Sequence, residues 1–201
     1  EIAGQRSVFI GATRNRVDYD QAIKNDGVSR SSDGYGFQGG LSFDITGLLV
    51  GDMYLQYLNQ KYDNSDFNRV DGFGLGASLN WTPTRVTNIN LRFANTPQET
   101  TQSGTSGYFS SLYSVRIQHE LRRNLLANLR FSYTDNNYQN NGVGGDSLDD
   151  TQVYRYGIGL SYLINRHIDI SSGYFYEKQR ANSTTFEYTT NHWFVTLGFE
   201  L

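Results

Sequence analysis

Between Tyr108 and Tyr133 the chain changes solvent preference at almost every residue, and this constrains its fold more than any other feature. Phe109, Tyr113, Val115 and Ile117 stand at alternate positions, with Ser111 the one small member of the set; Ser114, Arg116, Gln118 and Glu120 fill the gaps. After Arg122-Arg123-Asn124 the alternation resumes. Leu125, Ala127, Leu129, Phe131 and Tyr133 fall on one side, and Asn128, Arg130, Ser132 and Thr134 on the other. A period of two sends successive side chains to opposite faces of a strand and fits no helix. Two long strands with a tight turn, one face apolar and one polar, are what a membrane β-barrel requires, because lipid wets its outside and water its lumen.

The same reading extends along the chain to ten strands. Tyr35, Phe37, Gly39, Leu41 and Phe43 point outward on the second strand, and Gly36, Gln38, Gly40 and Ser42 inward. Met53, Leu55 and Tyr57 do so on the third, with Asp52, Tyr54, Gln56 and Gln60 inward. The fourth alternates most clearly: Phe73, Leu75, Ala77, Leu79 and Trp81 against Gly72, Gly74, Gly76, Ser78 and Asn80. Thr82-Pro83-Thr84 reads as the tight turn after it, with Pro where no ladder donor is needed. Ile89, Leu91 and Phe93 continue the outward set, then Tyr154, Tyr156, Ile158, Leu160 and Tyr162, then Ile168, Ile170, Tyr174 and Tyr176, then Trp193, Val195, Leu197, Phe199 and Leu201. The first strand, 6–19, alternates weakly. Either Val8, Ile10 and Ala12 face lipid, or they face the lumen together with Arg14 and Arg16; the second is preferred, since paired arginines are costly in hydrocarbon.

Residues 1–201 thus read as one domain, an all-β, antiparallel, up-and-down transmembrane barrel with ten strands. A soluble sandwich also alternates, but its strands are shorter, typically about 5–6 residues. Mean hydropathy is −0.55, and no apolar run is long enough for a membrane helix. A net charge of −3 offers no broad basic surface for nucleic acid. With no Cys there is no disulfide framework, thiolate metal site or covalent c-type haem. Glu1-Ile-Ala-Gly4 is not a signal peptide, so a leader has been removed or the sequence begins within a longer protein. Short and long connections alternate, which predicts short turns and both termini in the periplasm and long loops outside. Outward aromatics gather near strand ends, Phe43, Trp81, Tyr162 and Phe199 below and Tyr35, Tyr57, Tyr133 and Tyr176 above, as expected of the two interfacial girdles.

The runs Leu79-Asn-Trp-Thr-Pro-Thr, Glu99-Thr-Thr, Gly104-Thr-Ser-Gly-Tyr, His119-Glu-Leu-Arg-Arg-Asn-Leu-Leu and Tyr162-Leu-Ile-Asn-Arg resemble the outer-membrane β-barrel porins often encoded within exopolysaccharide gene clusters. The ending Phe199-Glu-Leu201 is similar to the closing strand read by the barrel-assembly machinery, with Leu where Phe is commoner. The likeness covers about Leu41 to Leu201. Family members are generally longer, so the chain resembles a C-terminal portion or a short variant. The resemblance implies a bacterial outer-membrane location, a role in polysaccharide export with periplasmic export partners, and contact with lipopolysaccharide. It implies no catalytic residue and no cofactor.

On the inward face Arg92, Arg116, Arg130 and Arg155 fall on four successive strands. Neighbouring strands lie about 4.8 Å apart, so these guanidinium groups could form a band selective for anionic solutes or acidic sugars. The competing expectation, and the preferred one, is internal pairing with Asp52, Glu120, Asp169, Glu177 and Glu200, because partly buried charges need partners. Inward Gly36, Gly40, Gly72, Gly74, Gly76, Gly157 and Gly159 either leave room for a passage or relieve curvature. His119, His167 and His192 are scattered without metal-ligand spacing. Asp63-Asn-Ser-Asp66 and Gly145-Asp-Ser-Leu-Asp-Asp150 read as solvated loops in preference to cation sites. The sequence therefore predicts a porin-like channel, with a structural barrel anchoring a larger surface assembly as the alternative, and no enzyme.

Overall fold

The computed structural model describes residues 6–18, 31–64, 67–100, 105–140, 150–182 and 184–199. Ten strands follow one another: β1 (Arg6–Val17), β2 (Ser32–Asp44), β3 (Leu49–Tyr62), β4 (Val70–Thr84), β5 (Thr87–Glu99), β6 (Thr105–Arg122), β7 (Leu125–Asn140), β8 (Asp150–Leu163), β9 (Ile168–Ala181) and β10 (Tyr188–Phe199). Every neighbour in sequence is an antiparallel neighbour in space, so the sheet order is simply β1 to β10. Strands reach 12 to 18 residues, longer than the alternation alone suggests. Much of the extra length lies at the loop end: of the connections expected at 97–107 and 136–150, residues 97–99 belong to β5, 105–107 to β6, 136–140 to β7 and Asp150 to β8.

The short turns show how local chemistry ends each hairpin. Gly47 takes φ +69° after β2, a conformation that favours glycine, and its N–H donates to Asp44 Oδ1 at 2.5 Å. The turn expected at Thr82-Pro83-Thr84 sits further on, at Arg85-Val86, and β4 runs through Thr84. Pro83 occupies a register shift between Trp81 and Thr84, where the ladder asks no N–H of it.

Directly paired residues of an antiparallel ladder share a face, so the register traces each face across the sheet. One row runs Leu49, Trp81, Ile89, Ile117, Leu129, Ile158, Tyr174, Trp193. Leu75, Leu129, Ile158 and Leu197 all lie on this apolar, exposed face and not in a dry protein interior. The row two residues nearer the loops is Phe43, Gly51, Leu79, Leu91, Val115, Phe131, Tyr156, Tyr176, and it turns polar at Asn191. The next is Leu41, Met53, Ala77, Phe93, Tyr113, Tyr133, Tyr154, turning polar earlier, at Lys178. One row higher, Ile10, Gly39, Leu55 and Leu75 give way to Asn95, Ser111, Asp135, Gln152 and Arg180.

The border between apolar and polar therefore descends diagonally across the rows from β1 to β10. The lower border descends with it, ending at Ile168 and Phe199. A membrane slab crossed by tilted strands cuts the rows on such a slant. On β4 the apolar stretch Phe73 to Trp81, at about 3.3 Å per residue and a tilt of about 40°, spans about 20 Å, close to the height of an outer-membrane barrel's apolar band.

This frame corrects the expectation for β1. Val8 pairs with Leu41, Ile10 with Gly39 and Ala12 with Phe37, so all three face outward. Arg14 and Arg16 share that face but pair with Tyr35 and Asp33, beyond the upper edge of the apolar band. There Arg14 Nη2 donates to Asp33 Oδ2 at 2.9 Å and Arg16 Nε to Asp18 Oδ1 at 3.1 Å. The arginines meet no hydrocarbon, so the cost that argued against this orientation does not arise.

Among the described residues, β1 and β10 carry a ladder on one side only. Their outward side chains are the barest of the molecule, Ile10 at 88% and Trp193 at 75% exposed. Burial concentrates instead at the loop end. Above the pair Leu75–Asn95, β5 leaves β4 and stays with β6. The upper β5–β6 hairpin then brings Phe109 against Gly72 and Gly107 against Val70, on the inward side of β4. Alternation groups Phe109 with the outward set; the register shift between Thr105 and Gly107 accompanies this departure. Gln60, Val70 and Thr105 are fully buried there.

Two stability measurements follow, both by denaturant unfolding in phospholipid vesicles. Leu129→Arg, mid-band on the outward face, should cost about 2–4 kcal/mol, whereas Asn80→Arg on the inward face should cost well under half of that. Gly40→Ala would put its Cβ 2.5 Å from the Met53 carbonyl oxygen and into the Phe9 ring, for a loss of about 1–3 kcal/mol. Its neighbour Gly39→Ala meets nothing nearer than 3.8 Å and should leave the unfolding midpoint unchanged.

Candidate lumen face

The inward face is the other parity of the same ladders. One inward row reads Asp52, Ser78, Arg92, Ser114, Ser132, Arg155, Glu177. The row beside it, nearer the short turns, reads Asn80, Asn90, Arg116, Arg130, Gly157, Phe175, His192. A third, nearer still, reads Asn88, Gln118, Asn128, Gly159, Gly173, Phe194. Amides, hydroxyls and guanidinium groups dominate all three on β4 to β8, where the outward rows are almost wholly apolar.

The four sequence-selected arginines come together on this wall. Arg92 and Arg155 share a row, separated by Ser114 and Ser132, while Arg116 and Arg130 are direct partners across the β6–β7 ladder. All four are exposed. Expected internal pairing holds for one of them. Arg155 Nε donates to Glu177 Oε2 at 2.5 Å, and Tyr188 Oη donates to Glu177 Oε1 at 2.5 Å. Among the described residues no carboxylate lies within ion-pair distance of Arg92, Arg116 or Arg130.

Topology explains the difference. Asp52 is two strands from Arg92 and accepts from Ser78 Oγ at 2.5 Å; Glu120 and Asp169 stand at the short-turn end, where Asp169 Oδ2 accepts from Ser171 Oγ at 3.4 Å. Glu200 lies outside the described residues. The centre of the β5–β8 wall is thus basic, and a directly opposed like-charged pair such as Arg116–Arg130 persists because both heads reach water.

The inward glycines do not simply hold a passage open. A Cβ on Gly40 would strike the Phe9 ring, one on Gly76 the Tyr54 ring, one on Gly157 the Phe175 ring and one on Gly173 the Phe194 ring. Each of these aromatics is the glycine's direct ladder partner. A ring laid over the facing glycine covers backbone that would otherwise be bare, which is how glycines are rescued in curved sheets. Gly36, Gly74 and Gly159 carry no such ring; at Gly159 the nearest atom is the Ser172 carbonyl oxygen, at 3.3 Å. Tyr54 was expected inward, whereas Phe9, Phe175 and Phe194 were missed as inward groups by sequence reasoning; an aromatic opposite a glycine becomes visible only once register pairs them. The near-parallel rings of Phe175 and Phe194 lie 5.6 Å apart at 11°, and the Arg130 guanidinium carbon sits 5.8 Å from the Phe175 centroid.

On the outward face the girdle candidates form cross-strand stacks. Tyr35, Tyr57 and Phe73 are linked at 6.5 and 5.1 Å on β2–β4, and Phe93, Tyr113, Tyr133 and Tyr154 at 4.9, 6.1 and 5.0 Å on β5–β8. Tyr156 and Tyr176 continue at 6.1 Å, one row lower. Trp81, Tyr162 and Phe199 lie outward at the short-turn ends of their strands. The histidines stay apart: His119 Nδ1 is 2.9 Å from Thr87 Oγ1, the His167 N–H donates to Asn165 Oδ1 at 2.8 Å in a turn, and His192 lies beside Phe194. Residues 145–149 and 65–66 of the acidic loops lie outside the described residues.

In fold, the sheet is similar to the FrpB iron transporter from Neisseria meningitidis (F3-3 variant), with a TM-score of 0.68 and 12% identity, over 100% of this chain and 38% of that one. It is also similar to the siderophore receptor PirA from Pseudomonas aeruginosa, with a TM-score of 0.57 and 11% identity, over 96% of this chain and 34% of that one. The chain spans little more than a third of the length of these structures, and at such identities the likeness concerns fold alone. No curated protein matches the chain by sequence. An outward apolar band, a polar inward wall and the architecture of outer-membrane barrels agree with the family whose match runs over residues 1–201, and the chain belongs to that family, described as "Putative beta-barrel porin 2".

Proposed function

We propose that this chain forms the wall of a porin-like outer-membrane channel through which an extracellular polysaccharide leaves the cell. The observation that carries the reading is the strict division of solvents: apolar rows on one face, amide, hydroxyl and guanidinium rows on the other, with the arginines left exposed on the inward wall. A lumen that hydrogen-bonds hydroxyl-rich solutes along its length suits a hydrated polymer better than an apolar or metal-bound cargo. Short turns and the described ends of β1 and β10 share one side of the sheet, which in this reading is the periplasmic side. The packing around Gln60, Val70 and Thr105 then lies at the outer mouth and narrows it. The outward charged pairs Arg14–Asp33, Arg16–Asp18 and Arg69–Asp71 lie beyond the apolar band, at the level of lipopolysaccharide headgroups. Barrel-assembly machinery and periplasmic export proteins are the partners this placement calls for.

The narrowed mouth also favours a second reading, a structural barrel that anchors a surface assembly. Recording from the purified full-length protein in planar bilayers separates the two. A channel should open in discrete steps, with the reversal potential in a salt gradient displaced toward anions. Arg116→Gln combined with Arg130→Gln should move that potential toward zero by removing two unpaired charges from one ladder position. A barrel silent at every voltage, purified with a tightly held partner, would establish the anchor instead.

A further inference from the structure

Beside the Arg116–Arg130 pair the inward wall has a small recess of about 200 Å³, bordered by Asn128, Arg130, Ser161, Ser171, Phe175 and Phe194 and floored by Gly157 and Gly159. Its composition is unlike the rest of the wall. On one side stand a guanidinium and a carboxamide; on the other, two near-parallel phenyl rings lie against Gly157 and Gly173. Two hydroxyls close the turn end, Ser161 Oγ and Ser171 Oγ, in hydrogen-bond contact at 2.9 Å. The floor stays low at Gly159, which, unlike Gly157, no ring covers.

We infer that this recess is a binding subsite for one carboxylate-bearing sugar residue of a passing polymer; the inference rests on the channel reading above and specifies its substrate class. Each wall matches one part of such a residue. Arg130 offers a fork of donors to the carboxylate, reinforced by Arg116 directly across the ladder, and among the described residues no carboxylate is paired with either. The apolar face of a pyranose ring lies against Phe194 and Phe175, whose rings give contact area at little entropic cost. Asn128 and Ser161 are placed for ring hydroxyls. The recess is smaller than a drug-sized pocket, as suits a single sugar ring held weakly enough to move on.

The test is calorimetric titration of the full-length protein folded in detergent, with tri-galacturonate as probe and maltotriose as the neutral control. Tri-galacturonate should bind at least about tenfold more tightly than maltotriose, which is the size expected for a charge-assisted pair. Arg130→Gln should weaken it by about tenfold, with Arg130→Lys intermediate because it keeps the charge and loses the fork. Arg130 is exposed, so neither variant threatens folding, and retained strand signal by circular dichroism checks that. Equal binding of both sugars, no binding, or binding unmoved by Arg130→Gln overturns the subsite. Binding to a barrel that conducts nothing strikes the channel reading alone; conductance without binding strikes the subsite alone.

Discussion

The backbone ladder is the interaction on which the rest of this structure depends. Hydrocarbon offers no hydrogen-bond partners, so a chain crossing it must satisfy its own N–H and C=O groups, and strands can do so only by pairing. Nine antiparallel ladders among the described residues meet that demand. Once they are set, each residue's face is fixed by parity, because a slip of one position would move every apolar side chain to the water side. The division of solvents and the lumen wall are consequences of that one constraint.

Tilt is the second consequence. A sheet whose strands stood upright in the membrane would change from apolar to polar along a single row. Here the change falls at Asn95, Lys178 and Asn191 in successive rows, moving toward the short turns as the strands advance. Aromatic stacks follow the slope, from Tyr35–Tyr57–Phe73 through Phe93–Tyr113–Tyr133–Tyr154 to Tyr174–Trp193. Side-chain chemistry thus records the angle at which strands meet the bilayer.

Inside, glycine and aromatic act together. A run of small inward residues read alone suggests empty space, but the facing strand supplies a ring to four of them. This keeps backbone covered while leaving the intervening amides, hydroxyls and arginines free to face water. At the loop end the upper β5–β6 hairpin packs over the inward side of β4, against Gly72 and Val70.

By itself the sequence determined what period two can determine: the strand class, the number of strands, their order as successive hairpins and, for β2 to β10, which set of side chains faces which solvent. Those properties are local, repeated over many residues and enforced by two solvents of opposite character. What only the tertiary structure decided were relations between strands. Alternation on β1 is too weak to orient it, and only the pairs Val8–Leu41 and Ala12–Phe37 place its apolar side outward with Arg14 past the band. Candidate arginines could be named from parity, yet that Arg155 finds Glu177 while Arg116 faces Arg130 follows from register, which turn geometry and bulges set. The rings over glycines and the Phe109 contact with Gly72 were hidden for the same reason: each joins residues far apart in the chain, and no local pattern encodes which residue a strand will meet across the ladder.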